Sequence, residues 1–172
     1  MPTLRITMKQ PEVSVSTTYR PSDDPKMVAK SLQSLFPEIN IPTSECESFP
    51  ITNNEIFWEF EGVDLTAYLS RIAELRILDT ALDAMGTNLH QDETVFSISR
   101  QAALANKVAF VLNGERALGG TIEITLKGEN LAEWLEEETW HEGRIEMPRT
   151  VSDEYAMRRD GEVTEWFDNR ES

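Results

Sequence analysis

Cysteine and histidine, on which most thiol and zinc chemistry depends, are nearly missing from this sequence. Its one cysteine, Cys46, cannot form a disulfide within the chain, and acidic neighbours disfavour a reactive thiolate there. The two histidines, His90 and His141, lie in separate segments, and neither belongs to a His-Glu-x-x-His or Cys-x-x-Cys motif. We therefore expect no metal site, no bound cofactor and a reducing, cytoplasmic location.

Long apolar runs are missing as well. No stretch approaches the roughly 18 consecutive apolar residues of a membrane-spanning helix, and residues 1–10 lack the apolar segment of a signal peptide. The hydrophobic fraction of 40% is nevertheless enough for the core of one domain in a chain of 172 residues. We expect a loose leader over residues 1–10, a single domain over residues 11–142, and no membrane partner.

Basic residues are scarce relative to acidic ones. Lysine and arginine number 16 against 31 aspartates and glutamates, which gives a net charge of −15. A chain this acidic repels phosphate backbones at long range. The excess is largest in residues 128–172, which carry 5 basic and 14 acidic side chains. Because apolar residues are isolated near the end of the chain, we expect residues 143–172 to form an acidic, mobile tail.

Hydrophobic periodicity predicts an α+β protein. Apolar residues that alternate with polar ones are typical of half-buried strands, whereas a spacing of three and four residues is typical of helices. The predicted strands cover residues 13–19, 56–60, 94–98 and 122–126. The predicted helices cover residues 25–36, 64–85 and 99–107, with a last helix that follows Asn130.

Residues 94–114 contain no acidic side chain, although acids precede and follow them. Within this window lie Arg100, Gln101 and Lys107. Arginine makes forked contacts to phosphate, and a helix that begins near Ser99 would add backbone donors. The window is therefore either the place where an anion is best tolerated or an ordinary solvated turn.

Residues 114–121 resemble a phosphate-binding loop, with two glycines separated by four residues and a final threonine. Gly120 stands where the phosphate-contacting lysine is needed, and the loop leads into a strand where the motif requires a helix. We therefore interpret these residues as a flexible connection between strands.

Asp79 and Thr80 lie late in the long predicted helix, at the border of its apolar stripe. A carboxylate in this position can orient a basic residue or accept hydrogen bonds from backbone donors. We interpret Asp79 and Thr80 as structural polar residues. The alternative is an enzyme in which Asp79 and Arg100 act together on a small anionic substrate.

Three strings of residues carry a resemblance to a known family. They are Leu-Arg-Ile-Leu-Asp-Thr-Ala at residues 75–81, Arg-Gln-Ala-Ala at residues 100–103, and Leu-Gly at residues 118–119 ahead of residues 122–124. Over about residues 11–142 the chain resembles a small family of uncharacterised archaeal proteins that is sometimes labelled RNA-binding. The resemblance implies a two-layer fold with helices packed on one face of a largely antiparallel sheet. That fold is similar to the ribosomal protein that binds 5S rRNA, and the family is compatible with homodimers.

Two functions stay open at this point. We first expect a non-catalytic protein of translation or RNA metabolism that binds structured RNA. Its anion-facing edge would consist of Arg76, Arg100, Gln101, Lys107 and Arg116. The alternative is a protein-interaction module, either a homodimer or a protein whose acidic C-terminal end binds a basic partner.

Overall fold

Five strands and six helices make up the described part of the chain, which the computed structural model gives as residues 10–41 and 55–151. In chain order they are β1 (Glu12–Tyr19), α1 (Pro25–Leu35), β2 (Ile56–Glu61), α2 (Thr66–Glu74), α3 (Leu78–Gly86), β3 (Glu93–Ser99), α4 (Arg100–Leu104), β4 (Phe110–Val111), β5 (Thr121–Lys127), α5 (Leu131–Glu138) and α6 (Gly143–Glu146). The predictions for Cys46, residues 1–9 and residues 152–172 lie outside the described residues. None of the six helices is long and apolar enough to cross a membrane.

The strands form one antiparallel sheet in the order β2-β1-β5-β3-β4. β5 lies at the centre, since its Ile124 pairs with Val15 of β1 and with Phe96 of β3. Every second residue of these three strands is buried, as a sheet with helices on one face requires. The predicted α+β fold, with a largely antiparallel sheet and helices packed on one face, is confirmed.

The first helix begins where the sequence predicts. Asp24 accepts a hydrogen bond from the Lys26 backbone N–H at 3.0 Å, and Pro25 occupies the first helical position. The apolar face of α1 is buried, and Leu32 and Leu35 have no exposed surface. Burial of each such leucine stabilises the fold by roughly 1.5–3 kcal/mol relative to an exposed position.

Aromatic rings connect the first two helices to the sheet. Phe36 stacks on Tyr68 of α2 with ring centroids 6.1 Å apart, and Tyr68 lies 6.1 Å from Phe96 of β3. The Tyr68 hydroxyl lies 3.5 Å from the sulfur of Met85. Burial raises the pKa of Tyr68, so its ring stays neutral in this contact.

The single long helix predicted over residues 64–85 is wrong, since α2 and α3 divide this stretch between them. Arg76, between the two helices, has a φ of +60°. The Ile77 N–H donates to the Ile72 carbonyl at 3.1 Å, which is the six-to-one hydrogen bond of a Schellman helix end. Glycine usually occupies the left-handed position of that motif, so an arginine there hides the break from sequence reading.

Asp79, at the start of α3, binds the C-terminal segment of the described chain. Its carboxylate accepts hydrogen bonds from His141 Nε2 and from Arg144 Nε, each at 3.0 Å. The Gly143 N–H donates to His141 Nδ1 at 3.2 Å, which leaves Nε2 as the ring nitrogen that contacts Asp79. Asp79 therefore holds two basic side chains, whereas the neighbouring Thr80 is exposed.

Two further contacts continue this attachment to the last described residue. Arg149 Nη1 lies 3.0 Å from the carboxylate of Asp83, one turn along α3. The Val151 N–H donates to the Glu136 carboxylate on α5 at 2.8 Å. Side chains of α3 and α5 thus contact Arg144, Arg149 and Val151, which belong to the segment predicted to be a mobile tail.

Replacing Asp79 with asparagine is expected to lower the free energy of unfolding at pH 7 by about 1–3 kcal/mol, because buried Arg144 loses its carboxylate partner. Burial alone raises the pKa of the Asp79 carboxyl, but hydrogen bonds from His141 and Arg144, together with their charges, lower it overall. A carboxyl with a lowered pKa stabilises the fold above its unfolded pKa and loses that contribution as the pH falls through the folded value. Wild-type stability should therefore fall in acid more than that of the variant.

Urea unfolding at pH 7 and at pH 3 measures both effects of Asp79→Asn. Glu133→Gln on the exposed side of α5 is the control, and it is expected to change the free energy by less than about 0.5 kcal/mol. Because the Asp79 side chain is 42% exposed, solvent screening limits the pH-dependent part. An Asp79→Asn protein as stable as wild type at pH 7 would contradict this account.

Candidate binding site

Arg100, the central arginine of the predicted anion-facing edge, points into the protein and is only 4% exposed. Its guanidinium donates to Thr17 Oγ1 and to the Thr18 carbonyl, each at 2.9 Å. It also donates to the Gly119 carbonyl at 2.8 Å and to the Asp23 carboxylate at 3.2 Å. Arg100 therefore connects β1, the residues before α1 and the loop before β5.

These contacts leave Arg100 little to offer a phosphate. Its hydrogen bonds use four of the five N–H groups of a guanidinium. Burial lowers the pKa of Arg100, the charge and hydrogen bond of Asp23 raise it, and the charge of Arg20 lowers it further. The group stays protonated, so Arg100 and Asp23 form an internal ion pair. A cation that is buried and paired in this way is poorly accessible to a phosphate backbone, so the geometry weighs against the predicted contact between Arg100 and RNA.

Gly120 makes room for this guanidinium. Its φ is +88°, and a Cβ atom at this position would lie 2.6 Å from Arg100 Cζ. The Arg100 backbone N–H also donates to the Gly120 carbonyl at 3.1 Å. Residues 119 and 120, from the segment whose sequence resembles a phosphate-binding loop, therefore contact the buried side chain of Arg100.

The other residues of the predicted edge are exposed and come from separate parts of the fold. Arg76 lies between α2 and α3, Lys107 follows α4, and Arg116 lies in the loop between β4 and β5. Gln101 borders a groove that exposed Leu118 and the acidic residues before α1 also line. The surroundings of Gln101 are thus apolar and acidic, which does not favour an anion.

Asp79 and Arg100 belong to two different clusters. Asp79 contacts His141 and Arg144, whereas Arg100 contacts Asp23. The arrangement that would let Asp79 and Arg100 act together on one substrate is therefore not formed. Within residues 10–41 and 55–151, no group of three His, Cys, Asp or Glu side chains is placed to hold a metal ion.

The side of the sheet opposite the helices carries polar residues in a regular array, and we call it the open face. None of its side chains is buried. Strand register aligns these side chains in rows across the sheet. The rows are Glu12, Lys127 and Glu93; Glu61, Ser14, Thr125 and Val95; Glu59, Ser16, Glu123, Ser97 and Val111; and Phe57 with Thr18, followed by Thr121 with Ser99.

The open face is strongly acidic, with five glutamates and one lysine. Lys127 lies between two of the glutamates in its own row. Glu59, Glu61 and Glu123 have no basic residue in their rows. Small hydroxyl side chains occupy most of the remaining positions, so the carboxylates stand above their neighbours and are accessible to a ligand.

A shallow cavity of about 250 Å³ lies at one end of the open face. Phe57 lines it with 59% of its surface exposed, beside Thr18 on the neighbouring strand. Glu55, Glu123 and Arg20 also line the cavity. This end of the sheet thus offers a ligand an open aromatic ring, two carboxylates and one cation.

Comparison with known proteins places this architecture among archaeal relatives. The UPF0201 protein of Sulfurisphaera tokodaii is 25% identical over 131 residues, which cover 74% of this chain and 88% of that protein. The chain is similar to the UPF0201 proteins. No protein-family model matches it. The similarity supports the uncharacterised archaeal family to which the three sequence strings point.

Solved UPF0201 structures share the fold. The structure from Methanococcus jannaschii has a TM-score of 0.61 at 19% identity and covers 75% of this chain and 99% of its own. A second UPF0201 crystal structure has a TM-score of 0.59 at 19% identity, covering 73% and 90%. A DUF54 protein of Archaeglobus fulgidus reaches 0.53 at 17% identity, covering 77% and 100%. At these identities the likeness establishes the fold alone.

Sequence reasoning missed Phe57 and the glutamates of the open face. Phe57, Glu59 and Glu61 alternate with more buried residues along β2, so period-two reading could have placed them together. Glu123 joins them only because β5 pairs with β1, and β1 in turn pairs with β2. That long-range pairing has no local signal in the sequence.

Replacing Gly120 with alanine is expected to destabilise the protein more than replacing Gly114 with alanine. Both glycines have nearly the same left-handed backbone, with φ values of +88° and +87°, so both variants incur about 1–3 kcal/mol of backbone strain. A Cβ at Gly114 meets nothing within 4 Å, whereas one at Gly120 displaces the Arg100 guanidinium. We expect an additional loss of about 2 kcal/mol for Gly120→Ala, measured by urea unfolding. Equal losses in the two variants would show that Arg100 does not depend on this space.

Proposed function

We propose that this chain is a non-catalytic protein-interaction module that binds a basic polypeptide segment on its open face. The observation that carries the proposal is the strand register, which gathers Glu59, Glu61 and Glu123 on an accessible sheet surface without a basic residue in their rows. Complementary charge favours partners rich in lysine and arginine and speeds their association.

An extended peptide fits the spacing of this surface. Glu59 and Glu61 are two residues apart on one strand, which corresponds to about 7 Å. Alternate side chains of an extended partner have the same repeat, so consecutive basic residues of that partner can reach consecutive glutamates. Each exposed charge pair contributes about 0.2–1 kcal/mol, and salt weakens it. The interaction is therefore expected to be reversible and sensitive to salt.

The charge distribution weighs against the RNA-binding alternative. Useful affinity for nucleic acid depends on several cations that contact phosphates. Arg100 and Arg144 are buried and paired with Asp23 and Asp79, so neither contributes to such a surface. Phosphates that approach the open face meet carboxylates instead.

The same charges oppose a homodimer in which two open faces stack. Such a contact would bring Glu59, Glu61 and Glu123 of one copy against the same residues of the other. Like charges that lose water on contact are strongly unfavourable, and no basic residue of the same rows would compensate them. A partner with the opposite charge has no such penalty.

The proposal is tested with an octalysine peptide as the basic probe, with dissociation constants measured by fluorescence anisotropy at 50 and 150 mM salt. The double variant Glu59→Gln/Glu123→Gln should bind about 3- to 10-fold more weakly, because two charge pairs are lost. Glu133→Gln/Glu138→Gln removes the same charge from exposed positions of α5 and should bind within about twofold of wild type.

Two outcomes would contradict the proposal. One is an equal loss of affinity in the open-face variant and in the α5 variant, which would mean that only total charge matters. The other is a structured RNA hairpin that binds the wild-type protein more tightly than octalysine does at 150 mM salt.

A further inference from the structure

Phe57 is a large apolar side chain that stays exposed and adds little to the core. It lies next to Trp58 on the edge strand β2, and 59% of its surface is accessible, whereas Trp58 is 5% exposed and packs edge-on against Tyr19. An aromatic side chain left open on a polar sheet face loses the stabilisation that burial would give it. We therefore consider the exposed ring, which lies beside carboxylates, as part of a binding site.

The surroundings of the ring define the chemistry of that ligand. Glu55 and Glu123 line the same cavity as Phe57. Glu59 lies two residues along the same strand and therefore on the same face. Arg20 is the one cation among the residues that line the cavity. Three carboxylates against one cation favour a positively charged group over the ring.

We propose that the Phe57 cavity binds an arginine side chain of the basic partner, an inference that rests on the function proposed above. A guanidinium is planar, so it can lie over an aromatic ring and still direct its N–H groups to carboxylates in the same plane. Glu55 and Glu123 are the carboxylates placed to receive those N–H groups. The ammonium of lysine is a compact, strongly hydrated charge and stacks less well, so the cavity selects arginine.

The hydroxyl groups near the ring are consistent with this assignment. Thr18 and Thr121 line the cavity beside Phe57, and their oxygens can accept any N–H group of the guanidinium that the carboxylates leave unbound. A nucleotide would also stack on Phe57, but its phosphate would depend on Arg20 alone among the residues that line the cavity. The charge of the cavity therefore favours an arginine side chain, and binding of a nucleotide is a contrary result that the experiment below can detect.

The test compares octaarginine with octalysine on wild-type protein and on Phe57→Leu, which keeps an apolar side chain of similar length without the ring. Wild type should bind octaarginine about 2- to 5-fold more tightly than octalysine, the ratio expected of one exposed cation–π contact. Phe57→Leu should reduce that ratio to about one, with circular dichroism and the urea midpoint as controls for folding. A ratio unchanged by Phe57→Leu would overturn the inference.

A second pair of variants reports the sign of the ligand charge. Arg20→Gln removes the cation that lines the cavity. Lys26→Gln is the control, since it removes a cation from an exposed position on α1 that does not line the cavity. If a guanidinium occupies the cavity, Arg20→Gln should bind octaarginine about twofold more tightly than Lys26→Gln does. Weaker octaarginine binding by Arg20→Gln, or adenosine monophosphate binding that Arg20→Gln abolishes, would assign the cavity to an anionic ligand and overturn the inference.

The two proposals fail in different ways. In one case, binding of both peptides depends on Glu59 and Glu123, but the preference for arginine does not depend on Phe57. That result would support the interaction module and contradict the arginine cavity. If the affinity for both peptides does not change when Glu59 and Glu123 are replaced, the proposed function itself is contradicted.

Discussion

Strand β5 is hydrogen-bonded to β1 on one side and to β3 on the other, and the rest of the structure depends on that register. A slip of one residue would turn Ile122, Ile124 and Leu126 toward solvent and would carry Glu123 into the core. Such an exchange would expose three large apolar side chains and bury an unpaired carboxylate, which is prohibitive. The hydrogen bonds that build the core therefore also assemble the acidic open face.

Two buried arginines stabilise the fold from within. Arg100 and Arg144 are both buried, and each joins segments distant in sequence through an aspartate and several carbonyl or hydroxyl groups. Removing one partner of such a pair leaves the other charge buried and unpaired, which is far costlier than losing a surface ion pair. Each of these cations is buried and paired with an aspartate, so neither is available at the surface to a partner.

Local patterns in the sequence are sufficient for most of the fold and for little of the site. Period-two alternation found four of the strands, and the Asp24 and Pro25 signals found the start of α1. The sequence did not reveal the helix break at Arg76, because glycine usually occupies the left-handed position of this hydrogen-bonded motif. The burial of Arg100 and the grouping of open-face glutamates arise from contacts between segments distant in sequence, so charge counts along the chain could not reveal either. The UPF0201 likeness supplies the fold and leaves the function to the chemistry of this surface.

The most direct test of the acidic open face is residue-level mapping of amide resonances of the full chain during titration with octalysine. The account predicts that the largest shift changes fall on β1, β2 and β5, with Ser16, Glu59 and Glu123 among them, while α5 and the residues around Gln101 change little. Shift changes confined to the helices or to the C-terminal residues, with the strand amides unmoved, would contradict it.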